Sequence, residues 1–475
     1  MRTLLLAAGL LLALSESAAA AERTTTLKDQ QEVAVTIYNE NLALVKDTRK
    51  VKLSSGEGRL AWRDVSARIR PETALLRNLT HAKDFYLIEQ NFDFDLLTPQ
   101  KLLEKYVGQT VTVMRTHPTT GADSREDAIV LATNGGVVLK YADRIETGVP
   151  GRLAFKSVPE NLRDRPTLVM NLNAAQSADD TLELSYLTGG LAWKADYVAE
   201  LSKNDDKLDL NGWVTLTNTS GASYQNAKLQ LVAGDVNRVR EEMDGAQQEG
   251  RVLKTLAMAA PKMAEESLFE YHLYTLNRPT TIAENQTKQV ALLSASGVPV
   301  TKEFMLRGAD YYYRSSFGEI GQKMKIGVFV EFDNKGGNLG VPLPKGMVRV
   351  YKKDSAGNAQ FVGEDRIDHT PKNEKVRLKL GDAFDVTADK KQTSFEKING
   401  TSRYNYIFDA AFEMVLKNAK DEAVTVKVIE PIPGDWQMQS ESHPHVKEAS
   451  NTAVWQVTIP ANGKTKLTYK VRVRY

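Results

Sequence analysis

The sequence repeats one pattern at Val214-Thr215-Leu216-Thr217-Asn218, Val330-Glu331-Phe332-Asp333-Asn334 and Met414-Val415-Leu416-Lys417-Asn418. In each stretch apolar residues alternate with variable ones, and an asparagine follows where the chain must turn. Alternation with a period of two is typical of a strand that buries one face. Asparagine tolerates the left-handed or Asx-turn geometry of a chain reversal. A second strand pattern follows each time: Lys228–Val232, Met347–Tyr351 and Ala423–Ile429. This rhythm favours β-sandwiches, and chance similarity among β-hairpins is the alternative interpretation.

The chain before these repeats also shows strand patterns. Apolar residues alternate through Val33–Val51 around a turn at Asn39-Glu40-Asn41, which predicts a hairpin. Thr98 is a suitable N-cap, Pro99 suits the first helical position and Gly108 a stop, so we expect a helix over 98–106. Short strands are predicted behind it: Thr110–Arg115, Ala128–Thr133, Val137–Tyr141 and Arg152–Lys156. Their close spacing suggests a small barrel-like module.

The fold class that follows is all-β and multidomain, with immunoglobulin-like sandwiches, a small barrel-like module and a short helix. The domains that we predict are an N-terminal β domain at 22–97, the helix and barrel-like module at 98–165, a sandwich domain at 166–325 and a C-terminal immunoglobulin-like sandwich at 326–475. Residues 241–266 interrupt the sandwich domain at 166–325 with Glu, Gln, Ala, Met and Lys and without a lasting apolar period. We interpret them as a mobile insertion, and a Met-rich partner-binding surface is the alternative.

The N-terminus has the three parts of an export signal in the expected order. Arg2 supplies the positive region, Leu4–Leu14 the apolar run, and Ala19-Ala20-Ala21 the small residues before a cleavage site. The apolar run is too short for a membrane helix, which needs about 20 residues. We therefore expect residues 1–21 to be a signal peptide, with a mature chain that begins near Glu22, lacks a transmembrane segment and is periplasmic or secreted.

Composition excludes several classes of function. The chain has 62 Lys+Arg, 60 Asp+Glu and a formal net charge of +2, which argues against a nucleic-acid-binding protein. It contains no Cys, which removes thiol nucleophiles, Cys-ligated zinc, iron–sulfur clusters and disulfides. The sequence also lacks a nucleophile elbow, a phosphate loop and a dinucleotide-binding loop, so we expect no cofactor.

One cluster of potential metal ligands remains at Glu441-Ser442-His443-Pro444-His445. On a strand, His443 and His445 point to the same side as Glu441, and imidazole is a common ligand of Zn²⁺ or Cu²⁺. These three residues are the candidate metal site, with His369 as the most plausible distant fourth ligand. A polar edge with exposed histidines is the alternative, which Pro444 favours because proline cannot donate to a central ladder.

A second cluster lies at Gly363-Glu364-Asp365-Arg366-Ile367-Asp368-His369. Acidic residues beside Arg and His are able to serve general acid/base chemistry. Runs of this kind are more often salt-bridged loops. No catalytic residue can be assigned from the sequence.

Four stretches over roughly residues 170–475 carry a resemblance to a known family: Leu187–Tyr197 (LTGGLAWKADY), Asn218–Gly221 (NTSG), Glu270–Leu276 (EYHLYTL) and Gly363–Val386, which includes His369-Thr370-Pro371 and Gly381-Asp382-Ala383-Phe384-Asp385-Val386. In these stretches the chain resembles an exported bacterial family whose conserved domain is domain of unknown function 4139, with some relatives labelled mucoidy inhibitor A-like. The resemblance implies a β-rich exported protein and supplies no catalytic residues.

Two functional hypotheses follow. The leading one is a non-enzymatic envelope protein that binds or scaffolds another envelope protein or glycan, because exposed sheet edges offer main-chain pairing to a partner strand. The alternative is a hydrolase of an envelope glycan or exopolysaccharide that uses carboxylates distant in sequence, since such pairs leave no local motif.

Overall fold

A computed structural model describes residues 22–39, 41–83, 85–159, 162–234, 263–336, 339–400 and 403–475. The predicted signal peptide and residues 241–262 of the predicted insertion lie outside this part of the chain, and residues 264–266 belong to a strand. Strands dominate the described residues, which also include one short α-helix. They confirm the all-β, multidomain sandwich class. No helix in these ranges has the length and apolar character needed to cross a bilayer.

Helix α1 and strands β1 to β16 precede residue 235: β1 Arg23–Thr25, β2 Gln30–Tyr38, β3 Leu42–Leu53, β4 Gly56–Arg63, β5 Leu75–Asn78, β6 Phe85–Asp93, α1 Pro99–Lys105, β7 Thr110–Thr116, β8 Asp123–Ala132, β9 Val138–Lys140, β10 Ile145–Thr147, β11 Arg152–Ala154, β12 Thr167–Ala174, β13 Ala178–Thr188, β14 Leu191–Leu201, β15 Lys207–Asn218 and β16 Tyr224–Ala233.

Strands β17 to β31 follow residue 262: β17 Ala264–Leu268, β18 Tyr271–Thr275, β19 Thr280–Ile282, β20 Gln286–Pro299, β21 Thr301–Arg307, β22 Glu319–Asp333, β23 Gly346–Lys353, β24 Ala359–Ile367, β25 Lys375–Ile398, β26 Ile407–Asn418, β27 Val424–Pro431, β28 Asp435–Glu441, β29 Val446–Ala449, β30 Thr452–Ile459 and β31 Lys464–Arg474.

The chain divides into two compact units. Within the described residues, unit 1 covers residues 22–192, 217–230 and 278–286, and unit 2 covers residues 193–216, 231–234, 263–277 and 287–475. The domain boundaries that the sequence suggests, after residues 97, 165 and 325, stay predictions.

Unit 1 contains two sheets whose buried faces meet. One has the order β1-β4-β12-β6, and in the other β16, β2, β3, β13 and β5 are neighbours. The alternation seen in the sequence of β2 is an alternation of burial, because Val33, Val35 and Ile37 are buried. Arg49 of β3 lies over the ring of Trp62 of β4, with its guanidinium carbon 4.6 Å from the ring centroid. The predicted hairpin β2–β3 therefore supplies one layer of a sandwich.

The helix and the small module also lie in unit 1. Thr98 caps α1 by accepting a hydrogen bond from Lys101 N at 3.1 Å, and Leu103 and Tyr106 are buried against β7, β8 and β9. The five strands behind the helix have the order β10-β9-β8-β7-β11. This sheet is open, because its edge strands β10 and β11 are not paired with each other in the described residues. The predicted helix and strands are confirmed, but the barrel-like closure does not form.

Unit 2 contains a five-stranded and a nine-stranded sheet. The first has the order β20-β15-β14-β23-β24, and the second the order β28-β31-β26-β25-β22-β21-β27-β30-β29. The long strands β22 and β25 carry bulges, which bend a sheet. Buried side chains from β26 and β31 share one core with those from β27 and β30, which belong to the other half of the sheet. The nine strands thus fold over on themselves as a sandwich.

Asn218 and Asn418 are the last residues of β15 and β26, and Asn334 directly follows β22. All three are buried, and none has a positive φ. Asn218 Oδ1 accepts a hydrogen bond from Ser220 N, and Asn418 Oδ1 accepts one from Lys420 N, both at 3.0 Å. These are Asx-turn bonds, so the side chain replaces a backbone partner at the chain reversal. Asn334 spans a wider loop and accepts from Gly340 N at 3.1 Å.

Candidate functional site

A cleft in unit 2 is the candidate functional site. Its volume is about 180 Å³. Its walls are formed by residues that are far apart in sequence: Ala233, Gly234, Glu270, His272, Tyr274, Pro342, Leu343, His369, Thr370 and Pro371. The lining is mainly aliphatic, proline and aromatic, with two imidazoles, one carboxylate and two hydroxyl groups. We refer to it as the cleft.

The hairpin β17–β18 builds one wall of the cleft. His272 Nδ1 lies 2.8 Å from Glu265 Oε1 of the paired strand, which fixes the imidazole plane. The Tyr274 hydroxyl donates to Pro342 O at 2.8 Å and so ties the hairpin to the loop before β23. Burial raises the pKa of Tyr274, with a smaller contribution from the charge of Glu265, so its hydroxyl remains a neutral donor.

Asn334 holds the opposite wall in place. Its Nδ2 donates to Val341 O at 2.8 Å and to Pro371 O at 2.9 Å. The backbones of Leu343 and Thr370 exchange hydrogen bonds of 2.8 and 2.9 Å. The repeated asparagine pattern of the sequence therefore positions two loops of the cleft, a role that its spacing alone does not reveal.

The tip of the hairpin β17–β18 projects an aromatic side chain into solvent. Phe269 is 84% exposed, and Leu268 beside it is 45% exposed. Phe269 has a φ of 56°, a left-handed conformation that is uncommon for a bulky residue. The next residue, Glu270, lines the cleft. The tip therefore adjoins the cleft through Glu270, which is itself exposed.

The structure brings together only part of the predicted metal site. Glu441 and His445 are paired, with His445 Nδ1 2.9 Å from Glu441 Oε2. The same oxygen accepts a hydrogen bond from Trp455 Nε1 at 3.0 Å. His443 Nδ1 lies 2.9 Å from Ser442 Oγ. His369 is placed in the cleft, whose lining includes none of the other three residues, and its Nδ1 accepts from Lys345 N at 3.2 Å.

Metal binding by Glu441, His443 and His445 stays a prediction, and zinc titration tests it. The described residues contain no group of three or more His, Cys, Asp or Glu side chains arranged to hold a metal. If the site binds Zn²⁺, calorimetry should show heat for the parent and none for His443→Ala/His445→Ala. The affinity should also fall below about pH 6, because protonated imidazole has no lone pair to donate. Equal heat from both proteins assigns these residues to a polar edge.

The acidic run at 363–369 is engaged in structural bonds. Asp365 Oδ2 accepts from Lys379 N at 2.7 Å, and Arg349 Nε lies 3.3 Å from Glu364 Oε2. Strand β24 carries most of this run. The contacts agree with the salt-bridged alternative and give no geometric support to general acid/base chemistry.

A family model for a domain of unknown function, DUF4139, matches residues 182–475. The chain belongs to the DUF4139 family. No curated protein matches the chain significantly. The matched DUF4139 region contains every residue that lines the cleft, together with the hairpin tip. Two stretches that carry the resemblance, Glu270–Leu276 and His369-Thr370-Pro371, meet there.

Proposed function

We propose that this DUF4139 protein is an exported, non-enzymatic envelope protein that binds another envelope protein through the cleft and the hairpin tip. The observation that carries the proposal is the convergence of the hairpin and of the 369–371 segment on one small cleft beside an exposed, strained Phe269. The partner is expected to insert one aromatic or branched aliphatic side chain.

The volume of the cleft favours a single side chain over a small-molecule substrate. Pockets for drug-sized ligands measure about 300–1,000 Å³, whereas the cleft holds about 180 Å³. An engineered cavity of about 150 Å³ binds benzene, so the available space suits one ring or branched group. Anchor side chains that fill such pockets provide most of the binding energy in protein interfaces.

The hairpin tip provides a second anchor, because its own aromatic side chain is able to insert into the partner while the cleft receives a side chain from the partner. An exposed phenylalanine in a left-handed conformation is unfavourable on two counts, because its apolar surface meets water and its backbone carries strain of about 1–2 kcal/mol. Strained residues concentrate at binding and catalytic sites. Phe has no hydrogen-bonding group, which favours an apolar protein surface over the hydroxyl groups of a glycan.

Export is supported by the three-part signal pattern of residues 1–21, and the environment of Glu22 is compatible with cleavage after Ala21. The Glu22 carboxylate forms ion pairs with Arg163 at 2.7 Å and Arg59 at 3.0 Å, and the hydrogen bond from Arg163 lowers its pKa. Cleavage after Ala21 leaves both ion pairs intact, since all partners lie in the mature chain. Cell fractionation followed by N-terminal sequencing tests this part of the proposal, and a cytosolic chain that retains Met1 contradicts it.

Replacing Phe269 with glycine is expected to weaken binding about tenfold without loss of stability. Glycine adopts a positive φ readily, so the free energy of unfolding should stay unchanged or rise by up to about 1 kcal/mol. A photo-crosslinking side chain at Glu270 should yield one discrete protein adduct in producing cells. Phe269→Gly should lower its yield about tenfold, as expected for the loss of a binding anchor.

The matched control is Phe384→Ser, which removes a phenylalanine that is 96% exposed and lies on β25 of the same unit. This variant should leave the adduct unchanged. Equal losses in both variants would indicate nonspecific adhesion. A polydisperse adduct that resists protease would identify a glycan partner instead and contradict the proposed protein partner.

A further inference from the structure

A lysine and a glutamate face each other inside the nine-stranded sandwich of unit 2. Lys390 lies on β25 and Glu430 on β27, and both side chains have no exposed surface. Lys390 Nζ is 2.6 Å from Glu430 Oε1. In the sheet order, β22 and β21 stand between these two strands, so the pair joins the two halves of the folded-over sheet.

Aromatic rings surround the amine. Lys390 Nζ lies 4.6 Å from the ring centroid of Tyr312, 5.0 Å from that of Phe412 and 5.9 Å from that of Tyr469. Burial lowers the pKa of Lys390, although the charge of Glu430 acts in the opposite sense. A lysine that is desolvated in an apolar pocket becomes a nucleophile, because its neutral form is then populated.

The carboxyl group is held from its other side. The Tyr313 hydroxyl donates to Glu430 Oε2 at 2.8 Å and lies 2.9 Å from the Tyr469 hydroxyl. The backbone of Gly308 packs against the same carboxyl, since a Cβ added there would lie 2.2 Å from Oε2. The two oxygens therefore have different partners: Oε1 contacts the amine, and Oε2 contacts a hydroxyl that is placed to stabilise negative charge.

We propose that Lys390 and Glu430 condense into an intramolecular amide that crosslinks β25 to β27. One ammonium proton passes from Nζ to Oε1, which leaves a neutral amine and a carboxylic acid. Nζ then attacks Cδ, the Nζ–Cδ bond forms, and the Cδ–Oε1 bond breaks. Oε1 departs as water with two protons that came from the ammonium, and Oε2 becomes the amide oxygen. One ammonium and one carboxylate give one amide and one water, with no change of oxidation state.

The fold provides two conditions for this condensation that are absent in bulk water: fixed orientation of the reacting groups and desolvation of their charges. Fixed orientation of two reacting groups corresponds to effective concentrations of up to about 10⁵–10⁸ M. A desolvated ion pair is costly, because the attraction between the charges repays the lost hydration only in part. Conversion to a neutral amide removes both buried charges, and the dry core keeps water away from the product.

Mass spectrometry of the purified mature protein, compared with the sequence that follows its determined N-terminus, tests the crosslink. We expect the denatured parent to be lighter than its sequence by the mass of one water. Tandem spectra of a digest should contain a branched peptide that joins Lys390 to Glu430. An intact mass without the deficit overturns the proposal, as does a deficit that maps elsewhere, for example to an aspartate succinimide.

Two controls test whether the crosslink depends on the buried pair: a double variant of that pair and a second Lys–Glu pair in the same sheet. Lys390→Met/Glu430→Leu replaces the pair with apolar groups of similar size, a change that proteins often tolerate, and it should restore the full mass. Lys391 on β25 and Glu413 on the neighbouring strand β26 form a partly exposed pair, with 2.9 Å between Nζ and Oε1. Their peptides should remain unlinked, because both groups are hydrated and charged. Linkage at this partly exposed pair would contradict the role of burial.

Discussion

Replacing Arg49 with methionine should lower the free energy of unfolding of unit 1 by about 3–5 kcal/mol, the range for removing one partner of a buried ion pair. The Arg49 side chain has no exposed surface. Its Nε and Nη2 donate to Asp47 Oδ2 at 3.0 and 2.7 Å, and its Nη1 and Nη2 donate to Thr25 O and Arg63 O at 3.1 and 2.8 Å. Methionine fills part of the space but leaves a carboxylate and two carbonyl oxygens without these donors.

Hydrogen exchange of the β1, β3 and β4 amides in increasing urea provides the measurement, since it reports on unit 1 separately. Arg165→Met is the matched control, because Arg165 is 65% exposed and its nitrogen is 4.0 Å from Asp64. That variant should change stability by less than about 0.5 kcal/mol. Arg49→Met/Asp47→Asn should recover part of the loss, because no uncompensated charge remains. A small effect of Arg49→Met would show that water reaches Asp47 in the folded protein.

The strand architecture could be predicted from sequence because alternation and turn chemistry are local signals. The hairpin β2–β3, the cap at Thr98 and the Asx turns at Asn218 and Asn418 all follow from residues within a few positions of one another. The predicted closure of the small module into a barrel is wrong. Closure depends on pairing between the two edge strands of the sheet. Local alternation carries no information about that pairing.

The candidate site was only partly visible in the sequence. His272, Asn334 and His369 each belong to a stretch that the sequence singles out, but the cleft arises from long-range packing of β18 with two loops. The buried pair has a clearer pattern in the sequence. Lys390 follows Val386 and Ala388 at every second position, and Glu430 follows Val426 and Val428 in the same way. A charged residue on the apolar face of a strand signals a buried polar group that needs a partner.

Unit 2 is also expected to unfold cooperatively in alkali, beginning near pH 10. Burial is the main cause that raises the pKa of Tyr197, Tyr313 and Tyr469 well above the ordinary value of 10.0. Above pH 10 the unfolded chain loses these three protons while the folded protein keeps them. The folded state then binds more protons, so stability is complete below pH 10 and falls as pH rises.

The expected slope is large, because each tyrosine contributes up to about 1.4 kcal/mol per pH unit, or roughly 4 kcal/mol for three. Tyrosinate absorbance and circular dichroism, recorded together, provide the measurement. Absorbance from the buried tyrosines should appear only as the β signal disappears. Tyr313→Phe should reduce the slope by up to about 1.4 kcal/mol per pH unit, because one titrating hydroxyl is gone while the ring still packs on Phe412, 5.1 Å away between centroids. Ionisation of all tyrosines with the β signal intact would show that these hydroxyls are accessible in the folded protein.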